Sequence, residues 1–190
     1  MLRHCTLVVT ATAALFTSVA LAQTAGQPIR LTGAAIDPNT GRTGHVEIDI
    51  TRWSTRAESD RLLAVLEEQG QQGFLAALQK NPRVGSIRTP GQLAYDLRFA
   101  SQSPLPDGGS QILIATDRPI GFSELWNQTR SVDYPFTWIQ VRLNGDREGE
   151  GTMSLATKVI PTGGPDLVVE NYGFMQPTLL KSLREEPLKR

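Results

Sequence analysis

His45, Glu47 and Asp49 alternate along one stretch of chain, and they are the residues whose types could do chemistry at short range. Alternate residues of a strand share a face and stand about 6 to 7 Å apart, so all three side chains can line one surface. A histidine beside two carboxylates suits metal ligation or general acid–base work. One histidine is too few for a typical zinc site, however, and Val46, Ile48 and Ile50 point the other way. The simpler reading is the solvated face of a half-buried strand. No metal and no cofactor are expected.

A second group lies between Asp117 and Pro135, the longest irregular stretch of the sequence. Asp117, Arg118, Phe122, Trp126, Arg130, Asp133 and Tyr134 gather there, with Phe136 beyond them. Loops above about 12 to 15 residues in a compact domain tend to be lids or binding loops. Aromatic and arginine enrichment is the composition of ligand platforms and interface hot spots. These seven residues are therefore the candidate ligand- or partner-binding set. The plain alternative is a loop tucked over an open barrel end, its aromatics plugging the core and Asp117 pairing Arg118 or Arg130.

Other chemistries are poorly supplied. No Gly-x-Ser-x-Gly surrounds a serine, so a triad built on His45 has no nucleophile elbow. The acids Asp96, Asp117, Glu124, Asp133 and Glu170 could serve two-carboxylate hydrolysis, but any chain of this size holds as many. Gly108-Gly109 and Gly163-Gly164 precede no helix and read as hairpin turns, not phosphate cradles. Asn127-Gln128-Thr129 fits a glycosylation acceptor by residue type alone. Trp53 and Trp138 read as core anchors.

The first residues fix an expected location. Arg3 and His4 precede the apolar run Leu7 to Leu21, and Ala20-Leu21-Ala22 is a small-x-small cleavage site. Residues 1–22 thus read as a signal peptide, and the protein is expected to be secreted or periplasmic. The run is shorter than the roughly 20 apolar residues of a membrane span, and no later segment approaches that length. Removing 22 of the 190 residues leaves 168, enough for one domain. The only cysteine, Cys5, leaves with the signal, so stability must come from a core without disulfides. One of the 19 basic residues leaves too, giving 18 against 19 acids and no basic stripe for nucleic acid or anionic lipid.

Next come the elements that must position these residues. Residues 23–28 read as a flexible leader, 29–183 as a single α+β domain and 184–190 as a charged, frayed tail. Ile29 to Ile36 and His45 to Thr51 form strands around the turn formers Asp37 to Gly41. Thr55-Arg56-Ala57-Glu58 has capping-box spacing, and Leu62, Val65 and Leu66 follow on one helical face. Gly70 stops that helix. Gln71 to Lys80 starts another, which Asn81-Pro82 ends, so a helical hairpin is expected. Strands follow at Val84 to Arg88, Leu93 to Ala100, Gln111 to Thr116, Phe136 to Leu143, Thr152 to Ile160 and Leu167 to Tyr172, with Gln176 to Leu183 as a last edge strand. Short links favour a curled antiparallel β-meander or barrel of about eight strands with the helical hairpin inserted. A two-sheet sandwich is the other arrangement these strands allow.

Pro82-Arg83-Val84-Gly85, Ala94-Tyr95-Asp96-Leu97-Arg98 and Ala115-Thr116-Asp117-Arg118-Pro119 resemble segments of conserved hypothetical secreted proteins of bacteria. That resemblance spans most of the mature chain and implies export, with no activity attached. The functional expectation is a non-enzymatic domain that binds a small apolar molecule or a protein partner at a barrel mouth near Asp117 to Pro135. The alternative is a small secreted hydrolase or isomerase using carboxylates, with or without His45.

Overall fold

The computed structural model describes residues 26–88, 93–118, 135–161, 167–171 and 175–188. The chain first reverses on Asp37, whose N–H donates to Arg42 O and whose O accepts from Gly41 N–H, each at 2.8 Å. This turn joins β1 (Ile29–Ile36) to β2 (Thr43–Ile50) in full antiparallel register, Ile29 opposite Ile50 and Ile36 opposite Thr43. Val46, Ile48 and Ile50 are buried and His45 is exposed, as the alternation requires.

After α1 (Arg56–Lys80) come β3 (Gly85–Arg88), β4 (Tyr95–Leu97), β5 (Phe99–Pro104), β6 (Ser110–Ala115), β7 (Phe136–Leu143), β8 (Glu148–Pro161), β9 (Leu167–Asn171) and β10 (Thr178–Pro187). The sheet runs β4-β3-β2-β1-β10-β8-β7-β6-β5, every pairing antiparallel, with β9 added on β8. Its two ends, β4 and β5, are consecutive in the chain, joined by Arg98 alone. The sheet therefore curls into a nearly closed barrel with eight positions around it, β4 and β5 sharing one. Eight strands leave an interior just wide enough for side chains to fill. Leu31, Ile48, Ile87, Leu97, Ile112, Ile114, Ile139 and Leu183 fill it.

Three expectations are corrected. The strand expected over Leu93 to Ala100 breaks at Arg98, and its alternation breaks with it. Leu97 faces the interior, but so does Ala100, while Phe99 turns to the outer face and Leu93 is 89% exposed. A one-residue reset of this kind re-aims side chains where a barrel bends. Secondly, β10 is no edge strand. It lies between β1 and β8, Ile29 opposite Pro187 and Thr178 opposite Met153. Thirdly, 184–187 do not fray, since Arg184, Glu185, Glu186 and Pro187 all pair with β1. The end of the leader is held too, by Trp53 Nε1 donating to Gln27 O at 3.1 Å and Leu188 N–H donating to Pro28 O at 3.0 Å.

The helical region is one hydrogen-bonded element with a break at Gly70, where φ is 66° and ψ is −159°. Thr55 caps it in a capping box with Glu58, whose carboxylate also accepts from Arg52. Arg61 donates to Asn81 Oδ1. Twenty residues of straight helix would span about 30 Å, so this bond requires the element to fold back at Gly70. Gln71 then clamps it to the barrel. Its amide donates to Val159 O and its Oε1 accepts Val159 N–H at 2.9 Å, standing in for a strand neighbour. Leu62, Leu66, Phe74 and Leu78 pack on the outer face against Phe99, Ala115, Phe136, Trp138 and Val159. This second apolar layer explains why Phe136 to Ile139 are buried on both faces while Gln140 and Arg142 are exposed.

Gly70 occupies backbone space open essentially to glycine alone, and nothing lies within 4 Å of where a Cβ would sit. Gly70→Ala is therefore expected to cost about 1 to 3 kcal/mol in urea unfolding through backbone strain. A loss below about 0.5 kcal/mol, the range of ordinary surface changes, would mean that the bend is not fixed there.

Candidate functional site

The three residues of the β2 face come together as a strand dictates, but they are not free. Arg30 on β1 donates to both oxygens of Asp49, at 2.6 and 2.8 Å, and lies 3.5 Å from Glu47. This pairing raises the Arg30 pKa, the hydrogen bond to Asp49 first among the causes. The face is an outer surface of the barrel with its acids neutralised by a guanidinium. Among the described residues no group of three or more His, Cys, Asp or Glu could hold a metal ion.

Of the loop set, Asp117 and Arg118 lie within the described residues, while Phe122, Trp126, Arg130, Asp133 and Tyr134 lie outside them. Asp117 follows β6 and its side chain is only 8% exposed. Its Oδ2 accepts Arg98 Nε at 3.3 Å, and its Oδ1 lies 3.6 Å from Arg118 Nε without a hydrogen bond among the described residues. Arg98 is the centre of this cluster. Its Nη1 donates to Asn81 O at 3.3 Å, its Nη2 lies 3.9 Å from Asp96, and its backbone N–H donates to Ala115 O at 3.0 Å. Asn81, 2% exposed, turns its own amide to Arg98 O at 3.5 Å. Ser54 adds a two-way bridge, N–H to Ala100 O at 2.7 Å and Ala100 N–H to Oγ at 3.1 Å. These groups satisfy the backbone where the two ends of the sheet meet. Their chemistry is closure, because each carboxylate here already faces a guanidinium.

Two hollows present free surface instead. One is a cleft of about 260 Å³ between α1 and the outer sheet face, walled by Leu62, Leu63, Leu66, Phe74, Leu113 and Trp138. Phe99 and Trp138 form its floor, ring centroids 6.5 Å apart and 17° from parallel. They approach across Ala115, which pairs with both and is small enough to leave room. Ser59, Asp60 and Ser101 supply its polar groups. The other hollow, about 850 Å³, opens at the barrel end that carries the β5–β6 and β7–β8 turns, with Glu185 and Arg147 in its wall. Burial pushes the Glu185 carboxyl above the ordinary glutamate range, and Arg147, 3.9 Å away, only partly opposes it.

The cleft sits beside the roots of the long loop, since Ala115 precedes Asp117 and Phe136 follows Pro135 within the same apolar layer. Neither Asp117 nor Arg118 lines the cleft, and sequence reading missed α1 as one of its walls. It also missed Glu185, which only the β10 register turns inward. No protein-family model, no curated protein and no solved structure matches the chain. No helix among the described residues is long and apolar enough to cross a membrane.

Removing Arg98 leaves a buried carboxylate with, among the described residues, Arg118 alone within ion-pair distance. Arg98→Ala is expected to cost about 2 to 4 kcal/mol in urea unfolding, whereas His45→Ala stays within about 0.5 kcal/mol. Equal effects of the two would contradict the closure role.

Glu185 gives a pH signature. A carboxyl whose folded pKa is raised binds its proton more tightly when folded, so its contribution is full at low pH and is lost as pH rises through the folded value. Glu185→Gln should raise the melting temperature at about pH 7 and leave it unchanged at about pH 4, where the glutamate is largely protonated. A rise of the same size at both pH values would refute the assignment.

Proposed function

We propose that the chain is an exported, non-enzymatic binding domain that holds a small apolar molecule in the cleft between α1 and the outer face of β5, β6 and β7. The observation that carries this reading is a cleft walled almost wholly by apolar side chains, Leu62, Leu63, Leu66, Phe74 and Leu113 around a floor of Phe99 and Trp138, which stay 9% and 7% exposed at its base. Burying the remaining apolar surface of the cleft gains roughly 25 cal/mol for each Å² removed from water. The volume lies just under the 300 to 1,000 Å³ typical of small-molecule sites, which suits a compact ligand. Export rests on the basic start, apolar run and Ala20-Leu21-Ala22 of the sequence.

The carboxylate-enzyme reading draws less support. Asp49, Asp96 and Asp117 lie against arginines, Glu170 pairs with Lys158, and His45 is exposed on a neutralised face. A general acid or base needs a proton it can exchange with substrate, and these groups are committed elsewhere.

Toluene and hexanol are suitable probes, titrated calorimetrically into the purified protein. Saturable one-to-one binding is expected, with a loss of about tenfold or more in Ser101→Trp, where the indole occupies the cleft. Binding that survives Ser101→Trp undiminished, or none in the parent chain, would refute the reading.

A further inference from the structure

The inward rows of the barrel turn polar at one end. In β10 a bulge at Ser182, φ 51°, leaves Leu180 and Leu183 facing inward, and alternation then turns Glu185 the same way. In β5 the inward Ala100 is followed by Gln102, and in β6 the inward Ile112 is preceded by Ser110. These three side chains share the wall of the 850 Å³ cavity. Its volume falls inside the range of small-molecule sites, and barrel mouths are common places for them. Gln102 and Ser110 are half-buried and make no side-chain hydrogen bond among the described residues. Half-buried polar groups of this kind take their partners from water or a ligand.

The wall also defines what would fit. Glu185 and Arg147 bring one charge of each sign, and the nearby acids Asp107 and Glu148 are paired with Arg142 and Arg184. An ion of either sign therefore gains little. The amide of Gln102 and the hydroxyl of Ser110 each both donate and accept, and Glu185 and Arg147 together do the same. Ligand groups that donate and accept at one atom are hydroxyls. Ile29, Pro187 and Leu188 add an apolar strip for C–H faces.

We propose that this barrel mouth is a second binding site, which takes a neutral polyhydroxylated molecule of mono- or disaccharide size. It is independent of the cleft under α1.

The test is a ¹H–¹⁵N NMR titration of the full chain with glucose, maltose and sucrose, and with spermidine as a cationic counter-probe. At least one sugar is expected to give saturable shifts at Gly108, Gly109, Ser110 and Gly145. Gln102→Leu combined with Ser110→Ala should weaken that binding by about tenfold or more, with a dispersed spectrum confirming the fold. Glu185→Gln should change it by less than about threefold, because an amide keeps the acceptor and adds a donor. Ser101→Trp should leave it untouched. Absence of saturable shifts at these residues with all three sugars overturns the proposal. So do shifts driven by spermidine and abolished in Glu185→Gln, which would make the mouth a cation site.

Discussion

Closure of the sheet at Arg98 is the constraint on which the rest of the structure depends. A sheet of this length with two open edges would expose rows of unpaired N–H and C=O groups and invite pairing with other chains. Here the edges are consecutive in sequence, so the chain passes from one to the other within a single residue. Little main-chain pairing can form at so tight a corner. Side chains reinforce the corner from three places: Ser54 Oγ accepts from Ala100 N–H, the Asn81 amide donates to Arg98 O, and Asp117 after β6 accepts from the Arg98 guanidinium. The helical element is thereby tied to the corner at both of its ends, which places its apolar face over β5, β6 and β7.

Two apolar layers follow from that geometry. The interior layer is filled by one inward row from each strand, and among the described residues the outer layer lies where α1 covers the barrel. Among the described residues no helix covers the opposite outer surface, which carries charge pairs instead, Arg30 with Asp49, Arg184 with Glu148 and Lys181 with Glu150. Surface pairs of this type contribute little stability each, about 0 to 1 kcal/mol. Their effect is to keep a barrel wall soluble. The asymmetry explains why concave apolar surface gathers on the helical side and concave polar surface at the barrel end.

Much of the fold was legible in local pattern. The turn at Asp37 to Gly41, the capping box at Thr55 and Glu58, the stop at Gly70 and the alternation of Val46, Ile48 and Ile50 each follow from two to five neighbouring residues. What pattern could not carry is register set from a distance. The reset at Arg98 depends on β6 and on Asn81, so Phe99 reads as inward until its partners are known. Residues 184–187 of the apparent charged tail are strand because β1 pairs with them across most of the sequence, a relation invisible to composition. The candidate sites divide the same way. The strands on either side of the long stretch, β6 and β7, bring Leu113 and Trp138 to the cleft, whereas Gln102, Ser110 and Glu185 are scattered polar residues until the barrel aligns their rows.

The place of β10 has a consequence for the order of events during synthesis. It comes last in chain order among the described strands, yet it lies between β1, the first, and β8. A nascent chain can form the β1–β2 hairpin and add β3 to it early, but β1 then waits with one edge bare until β10, which begins at Thr178, has emerged. Such an exposed edge is a template for misassembly while it lasts. Completion of the barrel is a late, single step, and a chain interrupted anywhere before Thr178 keeps that edge open.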